Sequence, residues 1–159
     1  MNLREADHLA RQLLRDHALP DWDFSWNRRK RALGLCRYER KRIELSLLFV
    51  LHNDEPAVRD TILHEIAHAL AGPKAGHGPK WRSICVKIGA RPERCDRVAV
   101  MPHGRWMGKC PTCGKEYSRH RRPLRNRIYC CRVCGRDRGT IRFFLAIGNQ
   151  PQMNADSRR

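Results

Sequence analysis

The chain has 159 residues and a mass of 18.6 kDa, enough for one compact domain with a small appendage and too little for two large ones. Its 33 Lys and Arg against 16 Asp and Glu leave a formal charge of +17, an excess that points to polyanionic partners. The longest mostly apolar run, Leu45 to Leu51, falls far short of the ~18 residues that cross a bilayer, and the charged start Asn2-Leu3-Arg4-Glu5 does not read as an export signal. A soluble, cytoplasmic protein without a membrane partner is therefore expected. Eight cysteines in a reducing compartment point to metal binding or redox chemistry rather than to disulfides.

Residues 2–18 place Leu3, Ala6, Leu9, Ala10, Leu13 and Leu14 at helical spacing, and Asn2 with Glu5 fits a capping box. Pro20 ends that helix. The alternation of Trp22, Phe24 and Trp26 with polar residues predicts a half-buried strand. Two further runs, Ala32 to Tyr38 and Ile43 to Leu48, follow after the basic connections Arg28-Arg29-Lys30-Arg31 and Glu39-Arg40-Lys41-Arg42. The simplest product is a three-stranded antiparallel meander with the two basic clusters at opposite ends. Each cluster reads equally well as a solvated turn or as a nucleic-acid contact.

Asn53-Asp54-Glu55-Pro56 is a helix start, and Gly72-Pro73 stops that helix after Ala71. Val58, Ile62, Ile66 and Leu70 form its predicted buried stripe. His64 and His68 lie about 200° around the axis from that stripe, facing a possible cleft. A Gly/Pro-broken loop leads to His77-Gly78-Pro79, and Pro79 opens a helix carrying Trp81, Ile84, Cys85 and Ile88 that Gly89 closes. Residues 103–142 then hold twelve Lys or Arg against Glu116 and Asp137. The organisation expected is an α+β core over 1–102, a basic appendage over 103–145 and a disordered tail over 146–159.

His64-Glu65-Ile66-Ala67-His68 fits His-Glu-x-x-His. Residues four apart share a helix face, so both imidazoles can bind one Zn²⁺ while Glu65 stands beside them to take a proton from water. The spacing leaves the third ligand open among His77, Asp60 and Glu93. The metzincin pattern is absent, since Ala71 and Lys74 stand where it needs Gly and His. Three protein ligands would leave an open position for water, and Glu65 would carry the proton onward to the leaving amine.

Thr61 to Leu70 followed by His77-Gly78-Pro79-Lys80-Trp81 resembles the SprT-like family of zinc metallopeptidases (SprT/Spartan type). Trp26-Asn27, the stretch Leu33 to Tyr38 and Ile43-Glu44-Leu45-Ser46 fit its pattern too, so the resemblance covers roughly residues 3–145. It implies a minimal zincin-like core of N-terminal helix, three-stranded sheet and His-Glu-x-x-His helix. It further implies His64, His68 and His77 as ligands of a catalytic zinc, Glu65 as the catalytic base, and digestion of proteins trapped on DNA.

Cys110-Pro111-Thr112-Cys113-Gly114 and Cys131-Arg132-Val133-Cys134-Gly135 are two knuckles separated by 17 residues, the spacing of a Cys₄ structural zinc ribbon. Cys130 could replace Cys131, although the Cys-x-x-Cys spacing favours Cys131. Cys36, Cys85 and Cys95 have no partner pattern and read as small core or surface residues. Between the knuckles, Arg119, Arg121, Arg122, Arg125 and Arg127 can neutralise phosphates while Tyr117 and Tyr129 offer stacking faces, without any base-reading element. His120 reads as a surface residue. The function expected is a zinc metalloendopeptidase acting at DNA, with one catalytic and one structural zinc, protein substrates, sequence-independent DNA contact and a nucleoid-associated location. The alternatives are a non-catalytic nucleic-acid-binding zinc protein and a peptidase unrelated to DNA.

Overall fold

Asn2 accepts a hydrogen bond from the Glu5 amide at 2.9 Å and donates its own amide to the Glu5 carboxylate at 3.4 Å, the reciprocal cap the sequence predicts. Helix α1 (Leu3–Asp16) follows and buries Ala6, Ala10, Leu13 and Leu14 on one face. The computed structural model describes residues 1–94 and 99–146, so Cys95 and the expected tail from 147 onward lie outside the described residues. Two units make up the chain, Met1–Pro102 and His103–Arg159.

The first unit contains strands β1 (Asp23–Asn27), β2 (Gly34–Arg37) and β3 (Arg42–Ser46) in the order β1-β3-β2. The expected meander is corrected: β3 is central, β1 runs parallel to it with Phe24 opposite Ile43, and only β2 is antiparallel to it. The physical reason lies in β3, whose Ile43, Leu45 and Ser46 are fully buried and so take the position shielded on both edges. The connection Arg28–Leu33 therefore has to pass the end of β3. It is tied there by the Ser46 amide donating to the Leu33 carbonyl at 2.8 Å and by the Ser46 hydroxyl donating to the Arg29 carbonyl at 2.7 Å. The two basic clusters still lie at opposite ends of the sheet, because Asn27 pairs with Ser46 and Arg37 with Arg42.

Leu47 does not continue the third strand. Ser46 accepts from the Phe49 amide at 3.4 Å and opens a short helix, α2 (Leu47–His52), which buries Phe49 and Val50. Asp54 then caps α3 (Glu55–Ala71) through the Ala57 amide at 3.1 Å, and Gly72, at φ 88°, ends it. Val58, Ile62 and Ile66 are buried as the stripe predicts, but Leu70 is 37% exposed. Burial of Thr61, Leu63, Glu65 and Ala67 instead extends around the helix. A helix enclosed on most sides reads as a central element, and α3 packs with α1, β2, β3 and the next helix, α4 (Pro79–Ile88). Trp81 and Cys85 of α4 are fully buried in the same core.

The second unit is a ribbon of short elements: β4 (Trp106–Lys109), β5 (Glu116–Arg119), β6 (Cys130–Cys131), the single-turn α5 (Gly135–Arg138), β7 (Gly139–Thr140) and β8 (Phe143–Leu145). Strands β5, β4 and β8 form one antiparallel sheet in that order, and β6 pairs with β7. Gly114 and Gly135, each next to the second cysteine of a knuckle, hold φ 71° and 72°, a left-handed turn that residues with a Cβ adopt at a cost.

Candidate metal centres

Helix α3 presents His64 and His68 one turn apart, and the loop after Gly72 brings His77 to them. That loop folds through two successive turns, with the Ala75 amide on the Gly72 carbonyl at 3.2 Å and the Gly78 amide on the Ala75 carbonyl at 3.0 Å. Three ring nitrogens converge as a result. His68 Nε2 is 3.1 Å from His77 Nε2, which is 3.3 Å from His64 Nε2. Ligands about 2.05 Å from a tetrahedral zinc stand about 3.3 Å apart, so these separations suit a shared ion. Neither Asp60 nor Glu93 belongs to this cluster. Asp60 instead accepts from the Arg91 amide and side chain, both at 2.9 Å.

The indole of Trp81 braces the cluster, an arrangement the sequence shows only as an aromatic three residues after His77-Gly78. Its ring centre lies 4.8 Å from that of His64, 5.3 Å from His68 and 4.7 Å from His77. Its Nε1 donates to the His64 carbonyl at 3.5 Å. Tyr38 is a second residue that sequence reasoning missed. Its single hydroxyl proton is shared between the carbonyls of His68 at 3.0 Å and Gly72 at 3.3 Å, tying the end of α3 to the sheet. No local signal marks it, because its partners are 30 and 34 residues away.

The imidazoles open into a cavity of about 720 Å³ that Glu65, Leu33 to Cys36, Tyr38, Arg31 and Arg94 also line. Glu65 is only 7% exposed, and burial pushes its carboxyl up to about 8 against the opposing pull of the Cys36 amide. Burial also lowers His64 and His68 to about 4, each helped by a neighbouring imidazole. His77 is lowered by burial and then by Arg94 and Arg82. Neutral imidazoles are the form that binds metal. Burial raises the half-buried Cys36 thiol to about 12, which makes it unreactive.

These shifts fix the pH response of the metal-free protein. His64 and His68 keep fewer protons folded than unfolded, so stability falls as pH drops from about 6.5 to about 4, and the lowered His77 acts in the same direction. Glu65 keeps its proton folded up to about 8 but loses it unfolded near 4.5, so its contribution falls as pH rises through that window. The expected melting curve of the metal-free chain declines on both sides of about pH 6.5. Glu65→Gln should remove the alkaline decline and keep the acid one; calorimetry of both proteins from pH 4.5 to 8.5 checks it.

In the ribbon the sulfurs of Cys110, Cys113, Cys131 and Cys134 all lie within 4.8 Å of one another. Cys113 and Cys131 are 3.6 Å apart, close to the ~3.8 Å edge of a tetrahedron built on 2.3 Å Zn–S bonds. Cys130 is exposed and outside the group. The Tyr117 hydroxyl donates to Cys131 Sγ at 3.1 Å and is the main reason that thiol drops to about 6. Cys134 is raised to about 12, chiefly by its hydrogen bond with Cys113. A set holding both a ready thiolate and a reluctant thiol fits a cation that displaces the remaining protons.

The nominated nucleic-acid residues divide. Arg121, Arg122, Arg125 and Arg127 are exposed. Arg119 is half-buried, its guanidinium 4.6 Å from the Tyr129 ring centre. Tyr129 also meets the Phe143 ring edge-on at 5.4 Å, and Tyr117 packs in the ribbon core with its hydroxyl on Cys131. Phe144, which the sequence reading passed over, is 60% exposed on β8.

Comparison with known proteins follows the same residues. The model of the SprT-like family matches residues 4–100. Protein SprT of Yersinia pseudotuberculosis is 27% identical over 143 residues, 84% of each chain. Protein SprT of Pseudomonas putida strain W619 is 26% identical over 127 residues, 72% of this chain and 77% of the relative. That of Shigella boydii is 26% identical over 126 residues, 73% and 76%. With the family pattern running through α1, the sheet, both histidine-bearing segments and α4, this chain belongs to the SprT-like family.

Proposed function

We propose that the protein is a zinc-dependent metalloendopeptidase that works at DNA and degrades proteins bound or crosslinked to it, in the cytoplasm and on the nucleoid. The observation that carries the reading is the convergence of three imidazole nitrogens at 3.1 and 3.3 Å in a cavity that also holds a buried carboxyl. Zinc held by His64, His68 and His77 would supply Lewis acidity toward water and a scissile carbonyl. Glu65, ionised beside the zinc cation, would take the proton from the attacking water and deliver it to the departing amine. Strand β2 lies at the outside of its sheet and lines the cavity, so an extended polypeptide can add to it through backbone hydrogen bonds. Such recognition is indifferent to most side chains, as a protease of varied DNA-bound proteins requires.

Ribbon charge supports the DNA half of the reading: Arg121, Arg122, Arg125 and Arg127 reach solvent, and the 60% exposed Phe144 adds an aromatic ring to the partly buried Tyr117 and Tyr129. The second zinc, on Cys110, Cys113, Cys131 and Cys134, would hold this unit in shape. Among the described residues no helix is long and apolar enough to cross a membrane. The test incubates zinc-loaded protein with a DNA-binding basic protein, with and without DNA, and reads fragments on a gel. Fragments only with DNA are expected. Equal cutting without DNA removes the DNA half, and no cutting despite bound zinc and DNA leaves a binding module.

Gly34 gives the reading a local check. A Cβ there would stand 2.7 Å from both Cγ and Oε1 of Glu65, so Gly34→Ala must move the carboxylate. Displacements of about 1 Å in a catalytic group cost up to ~10²-fold. A fall of that order in kcat/KM, with zinc content unchanged, is expected from steady-state kinetics and metal analysis.

A further inference from the structure

The two basic clusters of the first unit look alike as strings, yet the fold treats them differently. Around the Glu39–Arg42 end, acids face the cations: Asp21 is 3.5 Å from Lys41, Asp23 is 3.2 Å from Arg42, and Glu44 is 3.4 Å from Arg37. At the other end Arg28, Arg29, Lys30 and Arg31 are all exposed, and among the described residues none of them forms an ion pair with an acid. Four uncompensated cations in a row repel one another, a cost the fold accepts here.

That segment is also held in one shape. The Arg29 amide donates to Asn27 Oδ1 at 2.9 Å, the Arg29 carbonyl accepts from the buried Ser46 hydroxyl at 2.7 Å, and the Leu33 carbonyl accepts from the Ser46 amide at 2.8 Å. A loop fixed at both ends presents its charges with little ordering entropy left to lose on binding. Its position gives the arrangement a use. Arg31 lines the cavity with the three histidines, and three residues on, Gly34 lies against the Glu65 side chain.

We propose that the Arg28–Arg31 crossover is a phosphate-contacting loop of the catalytic unit, which seats the nucleic-acid backbone at the mouth of the cavity independently of the ribbon. The inference rests on the DNA-proximal reading above and adds a second contact, on the body that holds the histidines. Contacts to phosphate carry no sequence information but fix register, so this loop would set how far a DNA-bound polypeptide stands from Glu65.

The experiment measures DNA affinity of the full zinc-loaded chain by fluorescence anisotropy between 50 and about 300 mM salt. Wild type is compared with Arg28→Gln/Arg29→Gln/Lys30→Gln, which leaves cavity-lining Arg31 in place, and with Arg37→Gln/Lys41→Gln at the acid-faced end. Each phosphate contact contributes about 0.9 to the slope of log affinity against log salt. The triple variant is expected to lose ~2–3 of that slope with unchanged zinc content and melting temperature, and the double variant less than ~1. An unchanged slope in the triple variant, while wild type binds DNA, overturns the loop and leaves the DNA reading standing. Equal losses per charge in both variants overturn it in favour of net charge. In the same assay with labelled polyglutamate as the probe, a triple variant that loses polyglutamate binding but keeps DNA binding overturns it in favour of an acidic polypeptide. A wild type that binds no DNA removes both this inference and the DNA half of the proposed function.

Discussion

Replacing Glu65 with Gln is expected to lower kcat/KM for peptide-bond hydrolysis by about 10²–10⁴-fold while two zinc ions per chain stay bound. Gln matches Glu in size and can accept a hydrogen bond, but it cannot take up a proton, so the loss isolates general-base catalysis. Glu65 is suited to that role by position: it is buried in the cavity beside the three imidazoles, where a bound cation would favour the carboxylate that accepts the proton. His68→Ala gives the contrasting result, since removing one of three converging imidazoles should lower zinc content together with activity. Kinetics with a fluorogenic peptide and metal analysis of the purified variants separate the two. Activity in Glu65→Gln within threefold of wild type would remove Glu65 from the chemistry.

The other large effect is expected in the ribbon. Its buried apolar set among the described residues is Cys110, Cys131 and Ile141, with Tyr117, Tyr129, Cys134 and Phe143 partly buried around them. Such a core is too small to offset chain entropy by itself. Zinc on the four cysteines would supply the difference, since structural zinc contributes apparent binding free energies of about 10–16 kcal/mol at neutral pH. Cys131→Ser replaces a fully buried candidate ligand, and the thiolate that accepts from the Tyr117 hydroxyl, with a hydroxyl that binds zinc poorly. Zinc content should fall from two ions to one. Proteolysis between residues 103 and 146 should become at least tenfold faster, and DNA affinity should drop by a similar factor. A variant that keeps two zinc ions and wild-type protease resistance would show that Cys131 is not a ligand.

What could be read from the chain follows the range of the interactions. The α1 cap, the start and stop of α3, and Pro79 opening α4 depend on residues within one turn, and the structure has each where local chemistry puts it. His64 and His68 are neighbours by helix geometry alone, whereas His77 needed a loop conformation that spacing does not specify. Strand order was illegible because alternation looks the same in a central strand and an edge strand. The parallel pairing of Phe24 with Ile43 is a contact nineteen residues apart in the chain. Leu47 looked like the next inward residue of a strand, and a single serine cap turned it into a helix start. Side-chain availability is also non-local. Tyr117 and Tyr129 read as free faces until residues 131 and 143 come to meet them, and the basic clusters are indistinguishable until Asp21, Asp23 and Glu44 arrive beside one of them.

The placement of Trp81 has an optical consequence. Of the four tryptophans, Trp22, Trp26 and Trp106 are partly exposed, while Trp81 alone is fully enclosed and sits within about 5 Å of three imidazole rings. Its emission should form the blue edge of the protein's fluorescence. Imidazolium is an efficient quencher of indole and neutral imidazole a poor one, so in the metal-free protein the intensity of that blue edge reads the charge on His64, His68 and His77. The protein thus carries its own spectroscopic gauge at the heart of the histidine cluster, readable without a label, a substrate or any assumption about what is cleaved.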